Sequence, residues 1–220
     1  MLDRDNRYTG IVLPATSLKL MIHKEIKKKP LTSSKDWSNY ASIKTELRKF
    51  YSTEQKGMCA YCRMDIEYDG KHDDLEHIIH KDHKYIWMLE PRNLVLSCKI
   101  CNTSKLVKHS LKAGYRSSAT FPYHTSNYRI LHPQLDLYED NISIIDNYFV
   151  RADSPKGFMT ILICDLWRPH LAIKKAKMDK IDNHGVVRRA VHRMDDLSLP
   201  KWERKNLRKL IKDVIAKRPL

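Results

Sequence analysis

An α+β fold is what this sequence predicts, on three observations. Apolar stripes at helical spacing stand near both ends: Tyr40, Ile43, Leu47 and Phe50 at steps of three, four and three, and Leu207, Leu210, Ile211, Val214 and Ile215 at i, i+3, i+4, i+7 and i+8. Short β-rich runs broken by turn residues lie between them. Two CxxC pairs, Cys59-Ala60-Tyr61-Cys62 and Cys98-Lys99-Ile100-Cys101, bracket part of that middle and predict a metal-stapled core.

Taken in order, the first fifty residues read as irregular and then helical. Ser34 and Asp36 offer caps, and the Tyr40 to Phe50 stripe predicts one helix over about 36 to 52. The chain then enters strands, turns and the cysteine pairs up to Lys108. Residues 109–135 are polar and turn-rich and predict a long surface connection. ISIIDNYFVRA at 142–152 is a hairpin centred on Asp146-Asn147. Ser154-Pro155 is a cap-and-proline start, after which FMTILICDLW fits a short buried helix or a strand. Pro169 opens a helix through about Asp182, and the last helix spans about 200–217. There is no internal repeat or low-complexity tract. The organisation expected is a basic, partly helical segment over 1–55, a core over 56–108, and a C-terminal hairpin and basic helical region over 109–220 packed on that core.

At 220 residues the chain can bury a real core without disulfides. No apolar run approaches the roughly 20 residues that span a bilayer, and MLDRDNRY has no apolar signal core. The expectation is a soluble cytoplasmic protein with reduced thiols and no membrane partner. Charge is the strongest compositional clue: 41 Lys+Arg against 26 Asp+Glu leaves +15. The excess sits at the ends, net +6 over 1–50 and net +10 over 168–220, with net −1 between. Basic flanks around a near-neutral middle fit a polyanionic partner held by the ends, while the bland alternative is that lysine-rich helix faces are simply solvated.

A CxxC knuckle points two thiolates at one tetrahedral ion, and two knuckles close a four-thiolate shell suited to structural Zn²⁺. A redox role would need one pair in a strand–helix setting, and two chance pairs among five cysteines are a poor alternative. Cys164, alone in TILICDL, reads as a small core residue. Four cysteine ligands leave no open position, so Cys59, Cys62, Cys98 and Cys101 hold structure and do no chemistry.

Between the knuckles lies LEHIIHK at 75–81, with Glu76 beside His77 in an apolar run. On those seven residues alone, one of the pair pointing to solvent at a strand corner is the simpler account. The series LEHII, NLVLSC at 93–98 and CNTSK at 101–105, however, resembles the HNH endonuclease family, with its parts in the family's order over residues 56–108. The resemblance implies a zinc-stapled ββα-metal, treble-clef-like core surrounded by helices. It assigns His77 as general base, Glu76 and Asn102 as ligands of a catalytic Mg²⁺ or Mn²⁺, Asn93 as the brace of the histidine loop, and Lys105 as a contact to substrate phosphate. Many members carry His where Asn102 stands and Pro where His80 stands. A histidine cluster of His77, His80 and His83 is disfavoured, since a zincin needs HExxH on a helix. Tyr85, Trp87 and Met88 offer surfaces for base stacking or, more simply, close the core over the site.

A second likeness covers 129–144 and 154–175, which resemble the C-terminal half of the PtuB-like and retron-associated anti-phage HNH nucleases; those often carry a histidine near Asn141. This implies an antiviral defence role and an ATPase partner. The activity expected is metal-dependent hydrolysis of DNA phosphodiesters, leaving 5′-phosphate and 3′-hydroxyl ends. Its alternatives are a non-catalytic zinc-stapled nucleic-acid-binding module, cleavage of RNA, and a nuclease silent until the ATPase docks. Two-strand cutting by one such site implies a homodimer or successive nicks.

Overall fold

The computed structural model describes residues 16–66, 73–145, 149–168, 173, 183–194, 196 and 198–216. The fold is mixed α+β: helices α1 (Thr16–Lys28) and α2 (Ala41–Glu54), strands β1 (Asp73–His77) and β2 (Leu94–Cys98), helix α3 (Lys99–Lys105), strands β3 (Ile142–Ile145) and β4 (Phe149–Ala152), and helices α4 (Pro155–Ile163), α5 (Asn183–Met194) and α6 (Lys201–Ala216). Each strand pair is antiparallel, with Glu76 opposite Val95 and His77 opposite Leu94 in one sheet, and Ile142 opposite Ala152 in the other. No helix among the described residues is long and apolar enough to cross a membrane.

One hydrophobic core runs from Ile22 to Leu166 and surrounds the cysteines and the β1–β2 pair. α2 buries Ile43, Leu47 and Tyr51, positions i, i+4 and i+8, against it. Gln55, fully buried at the end of α2, joins helix to sheet: its Nε2 donates to Leu96 O and its Oε1 accepts from Leu96 N, both at 2.8 Å, in the way a neighbouring strand would. A second, smaller core gathers Phe149 with Val186, Ala190, Leu199, Leu207, Leu210 and Val214 of the two C-terminal helices. Glu203 on α6 accepts from Arg193 on α5 at 3.0 Å and ties that hairpin together.

Several expectations need correction. The helix predicted over 36–52 is two elements, a 3-10 turn at Ser34–Asn39 and α2, because Asp36 accepts backbone N–H bonds from Thr32 and Ser33 and caps a separate turn. Residues 16–28, expected to be irregular, form α1, with Leu18, Met21, Ile22 and Ile26 packed on the core. Residues 109–135 are a surface connection only in part: 112–120 and 123–126 are largely exposed, but Leu111, Phe121, Tyr128, Ile130 and Leu131 are buried, held by bonds such as Tyr128 OH to Pro122 O (2.9 Å) and Leu131 N to Thr160 Oγ1 (2.8 Å). The ambiguous FMTILI segment is helical. Ser154 Oγ accepts from Gly157 N at 3.0 Å to cap α4, with Pro155 at its first turn. The hairpin turn at 146–148 lies outside the described residues, as does the predicted helix from Pro169 to Asp182 apart from Ile173.

Candidate functional site

The two knuckles bring Cys59, Cys62, Cys98 and Cys101 together in the core, their Sγ atoms all within 4.8 Å of one another. Arg63, with φ of 56°, turns the first knuckle back, and its N–H bonds Cys59 O. In the second, Cys98 caps α3 and directs Cys101 inward. A tetrahedral shell with Zn–S bonds of about 2.3 Å has an S–S edge of about 3.8 Å. Cys62 and Cys98 stand at 3.8 Å, so the four thiols could hold a metal ion such as zinc. Arg168, only 4% exposed, donates from Nη2 to Cys101 Sγ at 3.2 Å and from Nη1 to the carbonyls of Cys164 and Asp165. A guanidinium there offsets the negative charge that four thiolates around a divalent ion carry. Cys164 is a buried core residue.

Beside this centre, β1 buries both members of the Glu76-His77 pair, at 3% and 6% exposure, so neither turns to solvent. Strand alternation sends them to opposite faces. Glu76 faces α3, where Lys105 Nζ donates to its Oε1 at 2.6 Å and Tyr61 OH to its Oε2 at 2.7 Å. Lys105 is itself 0% exposed and also donates to His77 O at 2.8 Å. Burial raises the Glu76 carboxyl above its ordinary range, with Lys105 pulling the other way. Lys105 is therefore placed as an internal counterion rather than at a phosphate-facing surface.

His77 lies on the other side. Its ring meets Trp37 edge-on, centroids 4.5 Å apart, and its Nε2 is 3.1 Å from Met88 O. A carbonyl can only accept, so that nitrogen carries the hydrogen and Nδ1 keeps the lone pair. Burial pushes the imidazole pKa down to about 3, which keeps the ring neutral at pH 7. Asn93, fully buried, braces the loop that follows: its Oδ1 accepts from Ile79 N at 2.7 Å, and its Nδ2 donates to Ile79 O and Trp87 O at 3.0 Å each.

Asn102 on α3 is not bonded to Glu76; its Nδ2 donates to Asp74 Oδ2 at 2.8 Å. Asp74 escaped the sequence reading, yet it lies two residues before Glu76 and so on the same strand face, a signal that period-two alternation carries. Tyr61 and Arg168 were missed as well, since nothing local to them marks a partner. His83 stacks on His109 with centroids 4.0 Å apart and 20° between planes, and His80 stands 5.9 Å from His83. Parallel imidazole planes do not converge on one ion, and among the described residues no second group of three His, Cys, Asp or Glu ligands draws as close as the cysteines. Trp87 and Met88 are buried and close the core, while Tyr85 stays exposed. No protein-family model matches the chain and no curated protein matches it, so what the site can do has to be argued from its own geometry.

Proposed function

We propose that this chain is a metal-dependent HNH endonuclease that hydrolyses DNA phosphodiesters. One arrangement carries the reading. A neutral histidine at the end of β1 has its Nε2 hydrogen held by Met88 O, its loop is pinned by Asn93, and α3 runs beside the strand pair with Asn102 and Asp74 facing each other. In this reading the negative phosphate, once bound, raises the basicity of the buried imidazole, and His77 Nδ1 takes the proton of a water whose oxygen attacks phosphorus. The bond to the 3′ oxygen breaks, and that oxygen is protonated from solvent. Oxygen donors suit a hard divalent cation such as Mg²⁺ or Mn²⁺, and Glu76 and Asn102, joined by Asp74, would hold it once Glu76 gave up its bonds to Lys105 and Tyr61; bound there, it would stabilise charge on the phosphate and leaving oxygen. Asn93 positions and does not react. A partner ATPase and a role in antiviral defence follow only from the likeness of 129–175 to PtuB-like nucleases.

The Lys105–Glu76 contact favours a second reading, a zinc-stapled nucleic-acid-binding module without catalysis or one silent until a partner docks, because the ammonium already neutralises the carboxylate. The deciding experiment is cleavage of supercoiled plasmid, and of RNA, by wild type and His77→Ala in Mg²⁺, Mn²⁺ and chelator. Metal-dependent cutting that disappears in a folded, zinc-loaded His77→Ala supports the nuclease. Equal cutting by both refutes it, and no cutting by either favours the second reading.

A further inference from the structure

A cleft of about 430 Å³ opens between α1 and the segment at 86–92, with Tyr123 on its rim. Among the described residues it is lined by the cations Lys19 from α1 and Arg92 from the far wall, by the imidazole of His23 and by one acid, Glu90. The Arg92 guanidinium lies over the Tyr123 ring, 4.8 Å from the centroid. Behind it Phe121 meets Tyr123 edge-on at 5.1 Å and Trp87 at 5.5 Å, so the platform rests on a row of packed rings. Tyr123 still leaves 48% of its surface open, where a core aromatic would leave almost none.

A half-exposed aromatic ring with a guanidinium over one face and further donors nearby has a specific chemical match. Nucleobases stack on such rings whatever their identity, and the phosphates on either side take the cations. The volume is that of a small-ligand pocket, which admits a nucleotide and not a duplex. The cleft also shares the 86–92 segment with the catalytic candidate, since Met88 O is the atom that holds His77 Nε2. We propose that this cleft binds a single-stranded stretch of nucleic acid, one base against Tyr123 and neighbouring phosphates against Lys19, His23 and Arg92. The proposal deepens the nuclease reading and rests on it for what becomes of the strand; binding itself needs no cleavage.

The test is fluorescence anisotropy of the full chain, zinc-loaded and with EDTA added only to titrate out free divalent ions, against labelled dT and U oligonucleotides of about 12 residues and a duplex of the same length. Tyr123→Ala and Arg92→Glu are each expected to weaken single-strand binding about ten-fold, with Tyr123→Phe retaining it. Tyr115→Ala, which removes an exposed tyrosine outside the cleft, should leave it unchanged. The dT and U arms say which polymer is preferred. Unaltered affinity in both cleft variants overturns the proposal, as does displacement of the strand by polyglutamate at equal charge. Loss of binding in the cleft variants alongside a wild type that never cuts plasmid or RNA would leave the cleft standing and remove only the nuclease.

Discussion

Replacing Lys105 with methionine separates two placements of this side chain that predict opposite results. Among the described residues its ammonium is the only charge partner bonded to Glu76, at 2.6 Å, and the other side-chain contact is the Tyr61 hydroxyl at 2.7 Å. Both charged groups are out of water, where removing one partner of an ion pair costs about 3–5 kcal/mol. Lys105→Met nearly preserves volume, so little of that loss is a cavity. Glu76 answers by protonating: without Lys105 its folded pKa rises further above the unfolded value. The folded state then binds more protons than the unfolded one, and stability falls as pH rises through that pKa. The deficit should therefore be about 3–5 kcal/mol at pH 7 and smaller near pH 4.5. Adding Glu76→Gln should recover most of it, and urea unfolding of the four zinc-loaded proteins reads the cycle. A Lys105→Met variant within about 1 kcal/mol of wild type at pH 7 would refute the buried pair and return Lys105 to the surface, where it could reach a phosphate.

Three other perturbations test separate parts of the molecule. Burial holds His132 at about 3, so below its unfolded pKa of about 6.5 the unfolded chain binds the extra proton; this contribution is full above pH 6.5 and should shrink by about 2 kcal/mol between pH 7 and 5, a slope that His132→Gln should flatten in urea titrations. Arg168→Met should lower zinc affinity about 10- to 100-fold in competition with a chromophoric chelator, and unchanged affinity would remove the guanidinium from the metal's surroundings. A Cβ at Gly157 would fall 1.8 Å from Asn141 O, a backbone atom no rotamer can move, so Gly157→Ala should cost about 3 kcal/mol and roughly 6–12 °C in Tm by thermal unfolding.

What the sequence made legible was local or repeated. The CxxC spacing alone brought four thiols to one point, and the Leu207 to Val214 stripe gave α6 within a residue or two of its ends. Ser154-Pro155 marked the start of α4 through the bond its hydroxyl accepts. Regions 109–135 failed for a physical reason. Their backbone and their neighbours' are satisfied by side chains far away in sequence, as when Gln134 Nε2 donates to Pro91 O and Leu94 O across 43 and 40 residues. Such partners permit burial without any periodicity. The same limit hid the state of the candidate site: Glu76 and Lys105 are 29 residues apart, and no spacing rule says that one neutralises the other.

The reason for burying a carboxylate next to a histidine can now be weighed. Taking Glu76 and Lys105 out of water costs several kcal/mol per ion, and their attraction with the added bonds to Tyr61 and His77 O roughly cancels that cost. A pair that merely breaks even is a poor device for stability, and an apolar pair of the same volume would serve the core as well. What the charged pair adds is geometry: Lys105 bonds the carbonyl of His77 itself, fixing the backbone at the residue whose ring is fixed from the other side by Met88 O and Trp37. Glu76 thereby helps to hold the end of β1 whether or not it also meets a cation. A Lys105→Met, Glu76→Gln protein would be close to wild type in stability yet lack that carboxylate, and its plasmid assay would separate the work of the charge from the work of the fold.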